Sequence, residues 1–152
     1  MAYFINTGTK LAPVWAKLGK GVSSLQHSYN PQVTTETYID EDNATTSLDS
    51  YQVQAGLDIQ LWDETTAPAH GYLADLRTSR AVGGDTETQI LEVDISGVSP
   101  YPATLNDAVV AVESFTVEGG KPQQLGCTVY YNGDPSTGTV VITAGVPVFT
   151  AT

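Results

Sequence analysis

The chain has 152 residues, of which 17 are acidic and 6 basic, giving a formal charge of −11. That length suits one domain with a sizeable core, and an apolar fraction of 41% with eight tyrosines excludes a disordered chain. So few cations exclude sequence-specific binding to DNA or RNA, which needs Lys and Arg on the phosphates, and docking on an anionic membrane.

Charged residues make up only 15% of the chain, so neutral polar groups, chiefly 20 threonines, must carry the surface. The charge is also uneven. Residues 1–35 hold Lys10, Lys17 and Lys20 and no acid. Every acid lies beyond them, with Arg77, Arg80 and Lys121 as the only later cations. Such asymmetry points to a segment with its own role.

Residues 1–20 read as an N-terminal arm, short apolar pieces interrupted by Gly8, Pro13 and Gly19. Trp15 sits in its middle and needs a place to dock, either on the chain's own body or on a neighbouring subunit. No run approaches a membrane span, and the first apolar run is too short for a signal peptide, so cytoplasmic synthesis is expected. From Val22 the period becomes two, with Ser23, Leu25, His27 and Tyr29 on one face. Asn30-Pro31 breaks this strand, and β-branched residues resume it over 32–39. Residues 40–50, with four acids and one large apolar side chain, read as a long acidic inter-strand loop.

The clearest alternation runs over 52–61. Val53, Ala55, Leu57, Ile59 and Leu61 form its apolar face, and Gln52, Gln54, Asp58 and Gln60 its polar one. Ala69, Tyr72, Leu73 and Leu76 then fall at helical spacing. They predict one helix over about 66–82, with Thr66 as N-cap, Pro68 in the first turn, Arg77 and Arg80 in the last, and Gly83-Gly84 as the stop. Strands return at 88–96, with Leu91, Val93 and Ile95 on one face and Ile90, Glu92 and Asp94 on the other, and at 107–117. Residues 125–131 and 139–143 flank the turn-rich Asn132 to Gly138 and read as a hairpin with a long tip. Residues 146–150 add an edge piece, where Pro147 is tolerated. The expected fold is mainly β: an antiparallel sandwich or barrel in a single domain, with one flanking helix.

Chemistry is sparse. His27 and His70, on a strand and at the helix start, offer no metal-ligand spacing. Asp40-Glu41-Asp42-Asn43 lacks the glycine and the twelfth-position Glu of a calcium loop, that place being Tyr51. Cys127 stands alone in an apolar stretch and reads as a buried thiol. No nucleophile elbow or phosphate loop appears. No catalytic residue, metal or cofactor is expected, and the chain does not read as an enzyme.

The segments match a family by order. Trp15 through Gly19-Lys20-Gly21, then Tyr29-Asn30-Pro31-Gln32, then Tyr38-Ile39-Asp40-Glu41-Asp42-Asn43 carry the likeness. So do Asn106 to Val112 and Tyr131-Asn132-Gly133-Asp134-Pro135 before Gly138-Thr139-Val140. Together they resemble the tail tube (major tail) proteins of long, non-contractile-tailed phages of Gram-positive bacteria. The resemblance implies two packed sheets with a flanking helix. It also implies six copies per ring, with sheets joined across subunits, and rings stacked into a tube that conducts DNA. Its implied partners are further copies of the chain, a tape measure protein inside the tube, tail terminator and distal tail proteins, and DNA in passage. Its implied location is the virion tail, assembled in host cytoplasm.

On that basis the ring-stacking loop maps to Asp40, Glu41, Asp42, Asn43, Leu48 and Asp49. The inter-subunit arm maps to Lys10, Trp15, Lys17 and Lys20. Polar positions on the alternating strands, Glu36, Gln54, Asp58, Gln60, Glu92 and Asp94, are candidates for an acidic lumen that repels DNA and lets it slide. Two other readings compete. One is a β-sandwich binding module on a virion, for which Tyr101, Tyr130 and Tyr131 would have to form an aromatic platform. The other is a related ring-forming component such as a terminator, which would not polymerise alone.

Overall fold

The alternation that marks residues 52–61 as a strand proves to be one part of a single curled sheet. The computed structural model describes residues 1–61 and 67–152. Among these, ten strands occur: β1 (Ala2–Asn6), β2 (Trp15–Leu18), β3 (Val22–Ser28), β4 (Pro31–Glu36), β5 (Thr45–Tyr51), β6 (Gln54–Leu61), β7 (Glu87–Val93), β8 (Tyr101–Thr116), β9 (Gln123–Thr143) and β10 (Val146–Ala151). One α-helix, α1 (Pro68–Ser79), and a 3₁₀ turn at Gly83–Thr86 lie between β6 and β7. Eight strands form one antiparallel sheet in the order β2-β1-β7-β8-β9-β6-β3, with β10 also on β9. The sheet curls into a half-barrel with α1 against it. The two packed sheets implied by the resemblance are thus the two ends of one sheet. Strands β4 and β5 pair only with each other.

The turn-rich segment 132–138 is not a hairpin tip. β9 runs through it, because both of its halves pair with β8 and not with each other. Leu105 faces Ser136 and Asp107 faces Asn132, so residues 133–135 bulge opposite Asn106. Gly133, at φ 67, takes the left-handed conformation this requires. β6 pairs with the first half of β9 and β10 with the second, on the same edge.

The bulge lets β9 serve two cores. Leu57 and Ile59 of β6, Leu125 and Val129 of β9, Ile90 of β7, Ile5 of β1 and Leu73 of α1 bury together on the inner face. Phe4, Leu91, Val93, Ala103 and Val140 bury on the other, with Trp15, Tyr101 and Phe149 against them. β7 therefore buries both Ile90 and Leu91, at 2% and 0% exposure. The expectation of one wet face on that strand is corrected.

The segment read as an arm is also corrected. Ala2–Asn6 lies between β2 and β7, and Ile5 is fully buried. Asn6 shapes the loop that follows: its Oδ1 accepts from the Gly8 and Val14 amides at 2.9 and 3.0 Å, and its Nδ2 donates to the Thr9 carbonyl at 3.0 Å. A buried amide with this many partners holds a glycine- and proline-containing loop in one shape.

α1 buries Ala69, Leu73 and Leu76 of the predicted stripe and leaves Tyr72 half-buried, and it spans 68–79 rather than 66–82. Arg80 ends it in the left-handed region (φ 50, ψ 47), its amide donating to the carbonyls of Leu76 and Arg77. Gly83-Gly84 instead opens the 3₁₀ turn. The proposed cap Thr66 lies outside the described residues. His70, expected on the helix surface, is buried, with Nε2 2.6 Å from the Lys20 carbonyl oxygen. The acidic loop is shorter than expected, because residues 45–51 form β5.

Where β3 curls over β7, a polar cluster ties them. His27 Nε2 lies 3.1 Å from Glu92 Oε1 and 3.0 Å from the Tyr131 hydroxyl, which itself donates to Glu92 at 3.0 Å. Burial, then the Glu92 carboxylate, pushes the Tyr131 phenol far up, so it stays a donor.

Two outcomes follow from this packing. A Cβ on Gly138 would lie 2.3 Å from the Thr150 carbonyl oxygen and 2.7 Å from the Phe149 ring. Gly138→Ala should therefore cost about 1–3 kcal/mol and speed amide exchange selectively in β10. Glu92→Ala removes the shared acceptor of His27 and Tyr131 and should lower stability by about 1–3 kcal/mol in urea unfolding.

Candidate assembly surfaces

The β4–β5 hairpin is the largest departure from a closed fold. Every residue from Pro31 to Tyr51 is exposed. Val33 pairs with Leu48, Thr35 with Thr46 and Pro31 with Tyr51, with an irregularity between Gln32 and Val33. Alternation places these six on one face, which is apolar apart from two threonine hydroxyls. The other face holds Thr34, Glu36, Thr45 and Ser47. Thr34 donates to Asp49, and Tyr38 donates to Glu36 at 2.7 Å. That bond to a carboxylate raises the Tyr38 phenol. Of the ring-stacking candidates, Asp40, Glu41, Asp42 and Asn43 form the exposed tip, and Leu48 and Asp49 lie on β5. At the base, Tyr29 and Tyr51 meet edge to face with centroids 6.3 Å apart.

The second surface is the outer face of β3, β6 and the first half of β9. Gln54, Asp58 and Gln60 alternate with buried Ala55, Leu57 and Ile59 and so share this face. Ser24 and Gly126 flank Asp58, Gln26 and Thr128 flank Gly56, and Ser28 and Tyr130 flank Gln54. Apart from Tyr130 the face is built of small and amide side chains, and Asp58 is its one carboxylate among these residues.

The other lumen candidates lie elsewhere. Glu36 is on the hairpin. Glu92 is on the inner face against His27 and Tyr131, because β7 turns that side toward β3. Asp94 follows β7 and accepts from the Ser96 hydroxyl at 2.6 Å and amide at 3.1 Å, which lowers its carboxyl.

The arm candidates separate in the same way. Lys10 binds Asp107 of its own chain at 2.9 Å. This raises the lysine, while Lys10 and then the Gln89 amide lower the aspartate. Both side chains are about half exposed, so the pair contributes little. Trp15 is half-buried against the Phe4 cluster. Lys17 and Lys20 are exposed on β2 and in the turn after it.

Cys127 is buried in the inner core, and its thiol is pushed up to about 12, first by burial and then by Glu113 and Asp58. Such a thiol is inert as a nucleophile. Among the described residues no His, Cys, Asp or Glu group is arranged to hold a metal. No described helix is long and apolar enough to cross a membrane.

No protein-family model matches this chain, and no curated protein sequence does. Solved structures do share its architecture. A chain in the tail of an empty GTA particle, computed with helical refinement in C6 symmetry, superposes with a TM-score of 0.59 at 10% identity, over 88% of this chain and 92% of that chain. A chain in the six-fold symmetrised cryo-EM structure of the anti-feeding prophage (AFP) baseplate superposes with a TM-score of 0.49 at 9% identity, over 89% and 91%. The second likeness is the weaker and adds nothing to the first. At such identity the first is a statement about fold: the mainly β, single-helix architecture expected from the resemblance is also that of a chain in a particle tail.

Proposed function

We propose that this chain is a structural subunit of a phage-type tail tube, forming six-membered rings that stack into a conduit for DNA. The observation that carries this reading is the β4–β5 hairpin. An isolated two-stranded hairpin is marginal in water, and this one exposes Val33, Leu48 and Tyr51 on a single face. Burying one such side chain stabilises by roughly 1.5–3 kcal/mol. Neighbouring rings provide that cover. A hairpin of one ring seated on the next makes a heterologous contact, which extends without closing.

The polar outer face of β3 and β6 then lines the bore. Its serines, glutamines and Asp58 offer no cation to a DNA phosphate, so DNA slides and is not held. A tape measure protein, a terminator and distal tail proteins are the partners such a tube requires. The role is non-enzymatic.

Purified protein should form long tubes of uniform bore in negative-stain images. Replacing residues 33–49 by a two-glycine turn should leave a folded monomer and no tubes. Tubes of normal length from this variant would sink the reading, and single rings from the wild-type chain would favour the terminator. Asp58→Lys should still allow tubes but slow DNA ejection at low salt. The difference should vanish near 1 M salt, where the Debye length is about 3 Å.

A further inference from the structure

The C-terminal end of α1 places two arginines at an open groove. The Arg77 guanidinium lies over the Phe115 ring, 4.1 Å from its centroid. Its Nε is buried and has no hydrogen-bond partner among the described residues. Arg80, the left-handed cap, is exposed. Neither arginine forms an ion pair with a described residue, nor do the exposed Lys17 and Lys20, whereas Lys10 and Lys121 do. Leu76, Ala81, Val110 and Val112 complete the groove wall. Asp75 and Asp85 line an adjoining depression that shares Leu76, Arg80 and Ala81 with it. The groove itself contains no carboxylate.

The hairpin tip presents the complement. Ile39 is wholly exposed, at 110% of its reference area, between Tyr38 and the run Asp40-Glu41-Asp42. An aliphatic side chain beside three carboxylates matches apolar walls rimmed by two guanidinium groups. Arginine suits this role, because its planar fork binds a carboxylate through two parallel hydrogen bonds. In the single chain every residue from Pro31 to Tyr51 is exposed, so the tip does not fill its own groove.

We propose that the hairpin tip of one chain docks in the α1 groove of a second copy, with Ile39 among Leu76, Ala81, Val110 and Val112 and the tip carboxylates on Arg77 and Arg80. This rests on the tube reading and identifies the receptor for its stacking element. Tip and groove are different surfaces, so the contact is heterologous and propagates.

Charge reversal tests it. R77E/R80E and D40R/D42R should each raise the critical concentration for tube formation about tenfold or more, equivalent to ~1.4 kcal/mol per contact. Combining all four changes should restore assembly, the signature of direct coupling. Because Arg77 packs on Phe115, Arg80→Glu alone is the variant least able to disturb folding, and it should show the same direction. A second measurement uses a Cys127→Ala background. Chains with Ile39→Cys and chains with Ala81→Cys, mixed and oxidised, should form a mixed disulfide in tubes and none as monomers, since the bond needs Cα atoms within about 7 Å. R77E/R80E chains that polymerise at the wild-type concentration overturn the proposal and leave the tube reading standing. So does the absence of both rescue and disulfide in wild-type-like tubes. Wild-type protein that never forms tubes overturns the tube reading, and this proposal with it.

Discussion

Continuous backbone pairing along β9 is the constraint on which the rest of this structure depends. A strand of 21 residues has two long edges, and every amide and carbonyl along them needs a partner. β8 supplies one edge over almost its whole length. The other is divided between β6 and then β10. The bulge at 133–135 is the larger of two register shifts against β8, the other lying between Val112 and Ser114, and it bends the strand without ending it. That bend brings one half of β9 under α1 and sends the other against Phe4 and Leu91.

The curl that results explains where polar groups lie. β3 at one end of the sheet comes over β7 and β1, so His27 meets Glu92 and Tyr131, and its ring lies 5.7 Å from that of Tyr3. Acceptors and donors that would be wet on a flat sheet are paired inside the half-barrel, as burial demands. The outer face of β3 and β6 remains polar and wet, with Asp58 its one carboxylate among the residues named. One sheet thus separates a packed interior from a surface with little reason to bind a polyanion.

The hairpin escapes this economy of burial. Its two strands lie between β3 and β6 in the chain and pair with no third strand. Its amphipathic face is therefore a property of the free chain, as is the groove at the end of α1, whose rim is arginine and whose floor is largely buried core. The acids at the tip repel one another. They become useful only opposite cations. Lys10 and Lys121 are already engaged with Asp107 and Glu118 of the same chain, and the helix-end arginines are not paired with any described carboxylate.

Local chemistry made much of this legible in the sequence. Strict alternation at 53–61 gave β6 its faces, because a half-buried strand must repeat every two residues. Ala69, Leu73 and Leu76 gave α1 its buried stripe for the equivalent helical reason. What failed depended on partners distant in the chain. Asn132 to Gly138 has the composition of a turn, yet a long strand pairing on both sides outweighs local turn preference. Ala2–Asn6 looked like an arm because its role as an inner strand is set by β7, more than eighty residues away. Residues 45–51 carried no regular apolar alternation to read, since Leu48 and Tyr51 share a face only through the irregularity opposite Gln32 and Val33. Glu92 and Asp58 both looked like wet strand positions; only the curl of the sheet put one inside and left the other out. Sequence by itself determined which segments extend, which one coils and how the charge is apportioned. The tertiary structure alone decided which face each extended segment turns inward, because that follows from non-local pairing and the direction in which the paired sheet bends.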